Sequence, residues 1–388
     1  MSRDAPQPAL CGFRAAPGGS VAAPQLDIDA DIRRAQAPPG WVYTDPEVYR
    51  VLLERGFRPS WQIAADASDV RLPGAVHPLT LHEGSLAEPL LLTRDHDDGL
   101  HCLSNACTHR GTLVCEHPGN ERSLRCRYHG RRFGLDGAFQ HMPEFDGVAD
   151  FPSPADNLPR VPFGVWGPLV FASASPAPHA PLERLLEPVT RRVGFLPLAA
   201  ARFDPGRSRD YLVQASWALY CENYLEGFHI PFVHAGLNAT LDYSAYRTEL
   251  YEWCSLQVGV AKSDEGCFEL PAGHADHGQR IAGYYFWLWP NTMLNLYPWG
   301  ISVNIVRPLA VDRTKVSFRS YVWDPGKLDS GAGAALDRVE REDEAVVEAV
   351  QRGVRSRLYG RGRYSPTREQ GTHHFHQLLA ACLNGQGD

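Results

Sequence analysis

Two short segments in the first half of the chain each pair a cysteine with a histidine. One segment carries Cys107 and His109, and the other carries Cys126 and His129. Two loops that each offer a thiolate and an imidazole can hold a metal centre between them. Zinc accepts two Cys and two His tetrahedrally, but its commoner spacing puts two Cys on one loop and two His on a helix. The interleaved order favours a two-iron cluster in which one iron takes both cysteines and the other takes both histidines.

A second group of residues that could do chemistry follows about a hundred residues later, in SWALYCENYLEGFHIPFVHAG. The spacing predicts one helix that carries Glu222, Glu226 and His229 on a single face, with His234 five residues after His229. Two neutral imidazoles with no thiolate nearby suit Fe(II), and a carboxylate from elsewhere would complete a facial triad with open positions. By itself, a histidine pair of this kind is also common on surfaces and in cores.

The two groups together resemble a known enzyme family. The first group, with its HRG and YHG flanks and with Tyr128 placed to bond a cluster sulfur, is similar to the Rieske [2Fe–2S] domain. The order of the two motifs resembles the catalytic α subunit of the Rieske non-haem iron oxygenases. The segment ENYLEGFHIPFVH resembles the corresponding segment in the branch of this family that contains the choline, carnitine and glycine-betaine monooxygenases. One departure is Arg131, which stands where the family usually has a tryptophan.

The resemblance implies two cofactors, a Rieske [2Fe–2S] cluster and one mononuclear Fe(II) per chain. The implied ligands of the cluster are Cys107, His109, Cys126 and His129. The implied ligands of the single iron are His229, His234 and an aspartate on a late helix.

We assign that aspartate to Asp343, which shares a face of a predicted helix over 336–358 with a stripe of valines. The alternative for Asp343 is a solvated acidic helix start, which the helix dipole would favour. The resemblance also gives Glu226 a role, that of the acid that links iron ligand His229 to the cluster histidine, His129, of a neighbouring subunit. Because that link crosses a subunit boundary in the family, a homotrimer or a multiple of one is expected.

The implied activity is that of a terminal oxygenase, which uses O2 and electrons from the cluster to hydroxylate a small organic substrate. An NAD(P)H-dependent reductase or a ferredoxin would supply the electrons. The favoured reaction is monooxygenation, including oxidative N-dealkylation of a quaternary or tertiary amine. Two alternatives stay open, an aromatic-ring hydroxylating dioxygenase and an electron-transfer Rieske protein without catalytic iron. A zinc-binding scaffold is a further one.

The substrate pocket is expected in the aromatic stretch YYFWLWPNTMLNLYPWGISVNIVRP. Tyr285, Trp287 and Trp289 share one face of a predicted strand, and aromatic boxes bind quaternary ammonium groups by cation–π attraction. The competing interpretation is that most of these rings fill the core of a sheet. Asn295 and Tyr297 are the candidate pocket residues.

The elements that must position these residues form an α+β chain. The Ala- and Pro-rich residues 1–40 are expected to be a flexible arm, and residues 41–175 an all-β Rieske domain with a short leading helix. Residues 176–388, after the boundary SASPAPHAP, are expected to form an α+β catalytic domain with an antiparallel sheet flanked by helices. The histidine-rich segment THHFH (372–376) is expected to be part of a helix and not an iron site.

Composition excludes several classes of function. A formal charge of -7 without a basic block disfavours nucleic-acid binding. No apolar run approaches the ~18 residues that a spanning helix needs, and the first residues lack the apolar segment of a secretory leader. The expected location is therefore the cytoplasm. Nine cysteines in a chain of this kind, four of them clustered, favour metal binding over disulfides.

Overall fold

The structure is a computed structural model, and it describes residues 24–264, 266–328, 330–334 and 336–385. The chain is a mixed α+β protein, as predicted, and it divides into two compact units. One unit is Arg58–Pro178. The other combines the described residues of Met1–Phe57 with those of His179–Asp388.

The Arg58–Pro178 unit is built from short antiparallel strands, which confirms the predicted β domain. Its strands are β1 (Gln62–Asp66), β2 (Ala75–Leu81), β3 (Glu88–Arg94), β4 (Leu100–Ser104), β5 (Gly119–Asn120), β6 (Leu124–Arg125), β7 (Arg132–Phe133), β8 (Phe139–His141), β9 (Phe163–Trp166) and β10 (Leu169–Ala172). They form three sheets in the orders β4-β3-β2-β5, β6-β7-β8 and β1-β10-β9. One core cluster packs Leu91, Leu103 and Phe133 around Cys107 and Cys126, so the predicted cluster loops are anchored in the core.

The second unit is organised by a seven-stranded antiparallel sheet in the order β11-β17-β16-β15-β14-β13-β12. The strands are β11 (Arg202–Val213), β12 (Arg247–Leu250), β13 (Cys254–Val260), β14 (Ile281–Leu288), β15 (Thr292–Tyr297), β16 (Gly300–Ala310) and β17 (Arg313–Val322). The helices are α1 (Pro46–Leu52), α2 (Leu182–Val193), α3 (Trp217–Tyr224), α4 (Ile230–Val233), α5 (Ala235–Thr240), α6 (Leu336–Gly353) and α7 (Gln370–Asn384). Among the described residues, none of the helices combines the length and apolarity that crossing a bilayer requires.

Helices lie on both sides of β14, which explains why every residue of this strand is buried. Phe375 of α7 packs edge-on against Trp287, at 5.2 Å between ring centroids. Arg192 of α2 lies over Tyr284, whose side chain points to the opposite face because side chains alternate along a strand. An apolar run such as IAGYYFWL is the expected sequence of a strand covered on both sides.

The chain divides at positions that differ from the predicted ones. Residues 24–40 are not a flexible arm: Leu26 is 1% exposed, and its backbone N–H and carbonyl both bond the Asn384 side chain at the end of α7. Residues 1–23 of the predicted arm lie outside the described residues. The helix expected to lead the Rieske domain is α1, and it belongs to the second unit, where it packs with α7. An apolar helix face is buried against whichever unit offers a matching face, and sequence order does not decide this.

The helix predicted through Glu222, Glu226 and His229 is shorter in the structure. Helix α3 ends at Tyr224, and His229 caps the start of α4. The Glu226 carboxylate accepts hydrogen bonds from the backbone N–H groups of Phe228 and His229, which competes with continued helical bonding. Position 227 must also be glycine here, because a Cβ would lie 2.6 Å from the Tyr246 ring. The helix predicted over 336–358 likewise ends early, at Gly353, a residue type with low helix propensity.

Replacing Phe375 by alanine should lower the free energy of unfolding by about 3–5 kcal/mol, the usual cost of removing a buried ring. Phe375 is fully buried and contacts the rings of Trp217, Trp287 and Trp289. Chemical denaturation followed by tryptophan fluorescence measures the loss. Leu358→Ala, at a side chain that is 97% exposed, is the control and should change stability by less than ~0.5 kcal/mol. An equal effect of the two substitutions would contradict this account of the core.

Candidate active site

The two cysteine–histidine segments form loops that close in the same way. The first loop follows β4, and the N–H of Gly111 donates to the carbonyl of Cys107 at 2.8 Å. The second loop joins β6 to β7, and the N–H of Gly130 donates to the carbonyl of Cys126 at 3.0 Å. Both glycines have a positive φ, of 74° and 77°, which glycine adopts without strain. Each loop therefore turns back four residues after its cysteine and presents its histidine.

The side chains of the two loops converge as predicted. The Nδ1 atoms of His109 and His129 are 3.1 Å apart, with the rings edge to face. Cys107 and Cys126 are both buried, and neither forms a disulfide. Two buried thiols and two half-buried imidazoles from separate loops are the donor set of a Rieske cluster, so the residues present fit that group.

The two histidines of the second motif also lie close together, and the carboxylate of Asp343 lies beside them. His229 Nε2 lies 3.1 Å from His234 Nε2, and Asp343 Oδ1 lies 3.0 Å from His234 Nε2 and 3.5 Å from His229 Nε2. These three side chains form a group whose ligand atoms all lie within 4.8 Å of one another. Two imidazoles and one carboxylate that meet at a point are the donor set of a mononuclear Fe(II) site, and the residues fit it.

Carboxylates orient both imidazoles of this group. Glu226 Oε1 lies 2.7 Å from Nδ1 of His229, and Glu342 Oε2 lies 2.8 Å from Nδ1 of His234. A carboxylate at Nδ1 keeps the proton on that nitrogen and leaves the Nε2 lone pair for a metal. Burial opposes a charge on His234, but its bonds to Asp343 and Glu342 outweigh burial and raise its pKa above the ordinary value.

The sequence interpretation missed two residues of this arrangement. Glu342 stands next to Asp343 in the sequence, and its carboxylate reaches His234. Asn223 Nδ2 donates to Asp343 Oδ1 at 2.6 Å and so holds the carboxylate in place. Asn223 follows Glu222 in the motif that was singled out, but nothing in its spacing indicates a partner more than a hundred residues away.

A cavity lies beside the three converging side chains. Its walls include the predicted pocket residues Asn295 and Tyr297, together with Tyr224, Tyr246 and Tyr285. The hydroxyl of Tyr224 donates to Asn295 Oδ1 at 2.9 Å. With Tyr220 of α3, five tyrosines from α3, β14, β15 and the segment before β12 therefore line one space.

The aromatic face of β14 serves two purposes. Tyr285 pairs with Asn295 of β15 across the sheet and borders the cavity. Trp287 and Trp289 continue the same face but are covered by Phe375 and fill the core. One end of the stretch thus borders the cavity, and the other end fills the core.

One acidic residue of the cavity was not predicted. Glu340 lines the cavity from α6, one helical turn before Asp343, and its Oε2 accepts a hydrogen bond of 2.7 Å from the Tyr220 hydroxyl. Burial raises the pKa of Glu340 well above its usual range, and the nearby negative charge of Asp343 adds to the rise. Such a site favours a bound cation, because a cation offsets the cost of a carboxylate there.

The histidine-rich segment lies in α7, as expected. His373, His374 and His376 are all buried, and burial lowers the pKa of His374 to about 4. His376 bonds the Tyr364 hydroxyl through Nδ1 at 2.6 Å and lies 2.9 Å from Glu222 through Nε2. None of the three belongs to the metal-ligand group found among the described residues.

Comparisons with known proteins match both domains of the chain. Residues 60–152 match the family described as the Rieske [2Fe-2S] domain, and residues 200–385 match the ring hydroxylating alpha subunit (catalytic domain). Chloroplastic choline monooxygenase of Arabidopsis thaliana is 29% identical over 374 residues, which is 92% of this chain and 85% of that protein. The oxygenase subunit of carnitine monooxygenase of Escherichia coli K12 is 29% identical over 90% of this chain and 95% of its own.

Solved structures show the same fold. A quaternary ammonium Rieske monooxygenase superimposes with a TM-score of 0.75 at 23% identity, over 93% of this chain and 100% of that one. Naphthalene 1,2-dioxygenase from Rhodococcus sp. gives 0.68 at 18% identity, over 90% of this chain and 94% of that one. The chain is a catalytic α subunit of the Rieske non-haem iron oxygenases, in which a Rieske [2Fe–2S] domain accompanies a catalytic domain that binds mononuclear iron.

Proposed function

We propose that this oxygenase is a monooxygenase of cationic amines, which adds one atom of O2 to a carbon near the amine nitrogen. The observation that carries the proposal is the lining of the cavity beside His229, His234 and Asp343. Tyrosine rings and the Glu340 carboxyl border it, and none of the described lining residues is a lysine or an arginine. Electron-rich ring faces and a carboxylate without a competing basic group attract a cation and disfavour an anion.

The relatives point to the same class of substrate, since choline and carnitine are both quaternary ammonium compounds. They differ in that carnitine also carries a carboxylate, which would need a basic partner when buried. The described lining of this cavity offers none. We therefore propose an amine without a carboxylate, with choline as the first compound to test.

The proposed ligands are those that the geometry brings together. Cys107, His109, Cys126 and His129 would hold the cluster, and His229, His234 and Asp343 would hold the single iron. The chemistry that iron supplies at such a triad is the reductive activation of O2.

The residues around the triad prepare that chemistry. Glu226 and Glu342 hold the Nδ1 protons of the two histidines, so that both Nε2 atoms stay free for the metal. The tyrosine rings exclude water and enclose the alkylated nitrogen, and Glu340 neutralises its charge. Together they fix the orientation of the amine and hold a carbon near its nitrogen towards the triad.

Electrons would come from an NAD(P)H-dependent reductase or a ferredoxin, one at a time, through the cluster. We propose that they reach the catalytic domain between His129 of one subunit and Glu226 of its neighbour in a homotrimer. The support within this chain is that Glu226 already bonds the iron-ligand candidate His229. The proposal predicts a trimer or a multiple of one in solution, which light scattering would measure.

The direct test is a reconstituted assay with a reductase, NADH and candidate substrates under labelled O2. Hydroxylation of a carbon on nitrogen, or of the carbinol carbon of choline, gives a product that yields an aldehyde. We expect amine-dependent O2 uptake with one aldehyde formed per O2. Ring dihydroxylation predicts instead that both atoms of labelled O2 enter one arene product. Turnover of arenes and not amines would overturn the proposed substrate class.

Glu340→Gln should raise the KM for choline about tenfold or more while changing kcat less, because glutamine, unlike glutamate, cannot ionise to offset the positive charge of the bound amine. A tenfold change corresponds to about 1.4 kcal/mol, the scale of one charge-assisted contact. Steady-state kinetics with the reconstituted enzyme measures both constants.

Two controls separate charge from packing in this experiment. The neutral carbon analogue 3,3-dimethylbutanol has the shape of choline without its charge, so its inhibition constant should be unaffected by Glu340→Gln. Glu348→Gln removes the same charge from a residue of α6 that does not line the cavity, where it bonds the Gln214 N–H, and should leave the KM unchanged. Equal losses for choline and the neutral analogue would assign Glu340 a purely structural role.

A further inference from the structure

Arg131, which directly follows the second cluster loop, is a buried charge. Its side chain is 2% exposed, and its guanidinium carbon lies 5.0 to 5.7 Å from the ring centroids of Phe133, Phe139 and Phe151. Nη2 donates to the Asp156 carboxylate at 2.6 Å, whereas Nε has no hydrogen-bond acceptor among the described residues. A guanidinium stays protonated even when buried, so this position carries a full positive charge inside the domain.

The Arg131–Asp156 pair is joined to both cluster loops. The carbonyl of Arg131 accepts a hydrogen bond of 2.9 Å from the Cys126 N–H. The carbonyl of Asp156 accepts one of 2.8 Å from the hydroxyl of Thr108, which stands between the two ligands of the first loop. Asp156 is the more exposed partner, with 19% of its side chain accessible against 2% for Arg131. Solvent therefore screens the carboxylate more than the guanidinium.

The charge change on reduction decides in which direction a buried positive charge shifts the reduction potential of the cluster. One-electron reduction by the external donor makes the cluster and its ligands one unit more negative. A nearby positive charge in a poorly screened site stabilises the reduced form, and net charge is one of the factors that set the potential of such clusters. We propose that Arg131 raises the reduction potential of the [2Fe–2S] cluster and that Asp156 partly offsets this effect. The proposal rests on the proposed cluster ligands.

The test is the reduction potential of the cluster in the purified oxygenase, measured by spectroelectrochemical titration. Arg131→Gln should favour the oxidised form at least tenfold, a shift of about 59 mV to lower potential for a one-electron couple. Asp156→Asn should shift the potential in the opposite direction. Arg131→Lys, which keeps the charge, should stay close to the parent protein. The double variant Arg131→Gln/Asp156→Asn should lie between the two single variants.

Arg132→Gln is the matched control, because Arg132 is the next residue but is exposed to solvent, and it should change the potential little. A shift in the same direction for Arg131→Gln and Asp156→Asn, or equal shifts for Arg131→Gln and Arg131→Lys, would overturn the proposal. If Arg131→Gln does not retain the cluster, a higher potential in Asp156→Asn with an unchanged potential in Arg131→Lys would support the proposal, and any other pair of results would overturn it. The visible spectrum of the parent checks the ligand assignment separately, since its absence would refute the cluster and not the role of Arg131.

Discussion

Replacing His229 or His234 by alanine should lower turnover roughly a thousandfold or more, while the visible absorption of the cluster persists. Each substitution removes one of three side chains whose ligand atoms converge. A thousandfold loss corresponds to about 4 kcal/mol of transition-state stabilisation, which is reasonable for loss of a catalytic metal. Metal analysis should find two irons per chain instead of three, because the cluster and the single iron use separate ligands.

The control for this experiment is His277→Ala, which removes an exposed histidine of the same unit and should leave activity and iron content unchanged. If His229→Ala bleached the visible spectrum, the two motifs would not form separate centres. If His234→Ala retained activity, the iron would have to be held elsewhere. A content of only two irons per chain in the parent protein would support the alternative of an electron-transfer protein without catalytic iron.

Glu226→Gln should retain both metal centres and slow the oxidation of the reduced cluster about 10- to 100-fold. Glu226 binds Nδ1 of His229 and also accepts two backbone N–H groups at the break between α3 and α4. An amide keeps the shape of the side chain but loses its charge and its strict acceptor character, and losses of this size are typical when a group behind a metal ligand is changed. Stopped-flow spectroscopy of the pre-reduced protein mixed with O2 and substrate measures the rate.

Glu342→Gln is a matched control for that experiment, because Glu342 makes the equivalent bond to His234. We expect this variant to bind iron more weakly but, once loaded, to oxidise its cluster at nearly the parent rate. The contrast separates an electron-transfer role of Glu226 from support of a ligand. If cluster oxidation slowed equally in both variants at full iron loading, Glu226 would have no role in electron transfer beyond supporting a metal ligand.

Much of the candidate site could be predicted from the sequence because metal binding depends on residue type and short spacing. Cys107 with His109 and Cys126 with His129 are close in the chain, so their loops leave little freedom for other arrangements. Asp343 is distant, but the face it shares with the valines of a helix indicated that it points inward. Asp343 does lie 3.0 Å from His234, although the valine stripe is only partly buried, with Val347 buried and Val350 exposed.

The missed features depend on contacts between distant parts of the chain. Glu340 and Asn223 are ordinary polar residues on helices, and only the packing of α3 with α6 brings them to the cavity and to Asp343. The end of α3 was missed because the Glu226 side chain captures backbone N–H groups that a helix would use. Local propensity does not reveal such competition.

The sequence by itself determined the types of donor atom, their grouping into two centres and the order of an all-β domain and an α+β domain. These properties follow from residue chemistry and from periodicity along the chain. The tertiary structure alone decided which aromatic residues of one strand face form a cavity and which form core, and that residues 24–57 pack with the second unit. Packing energy depends on which surfaces meet, and that information is spread over the whole chain.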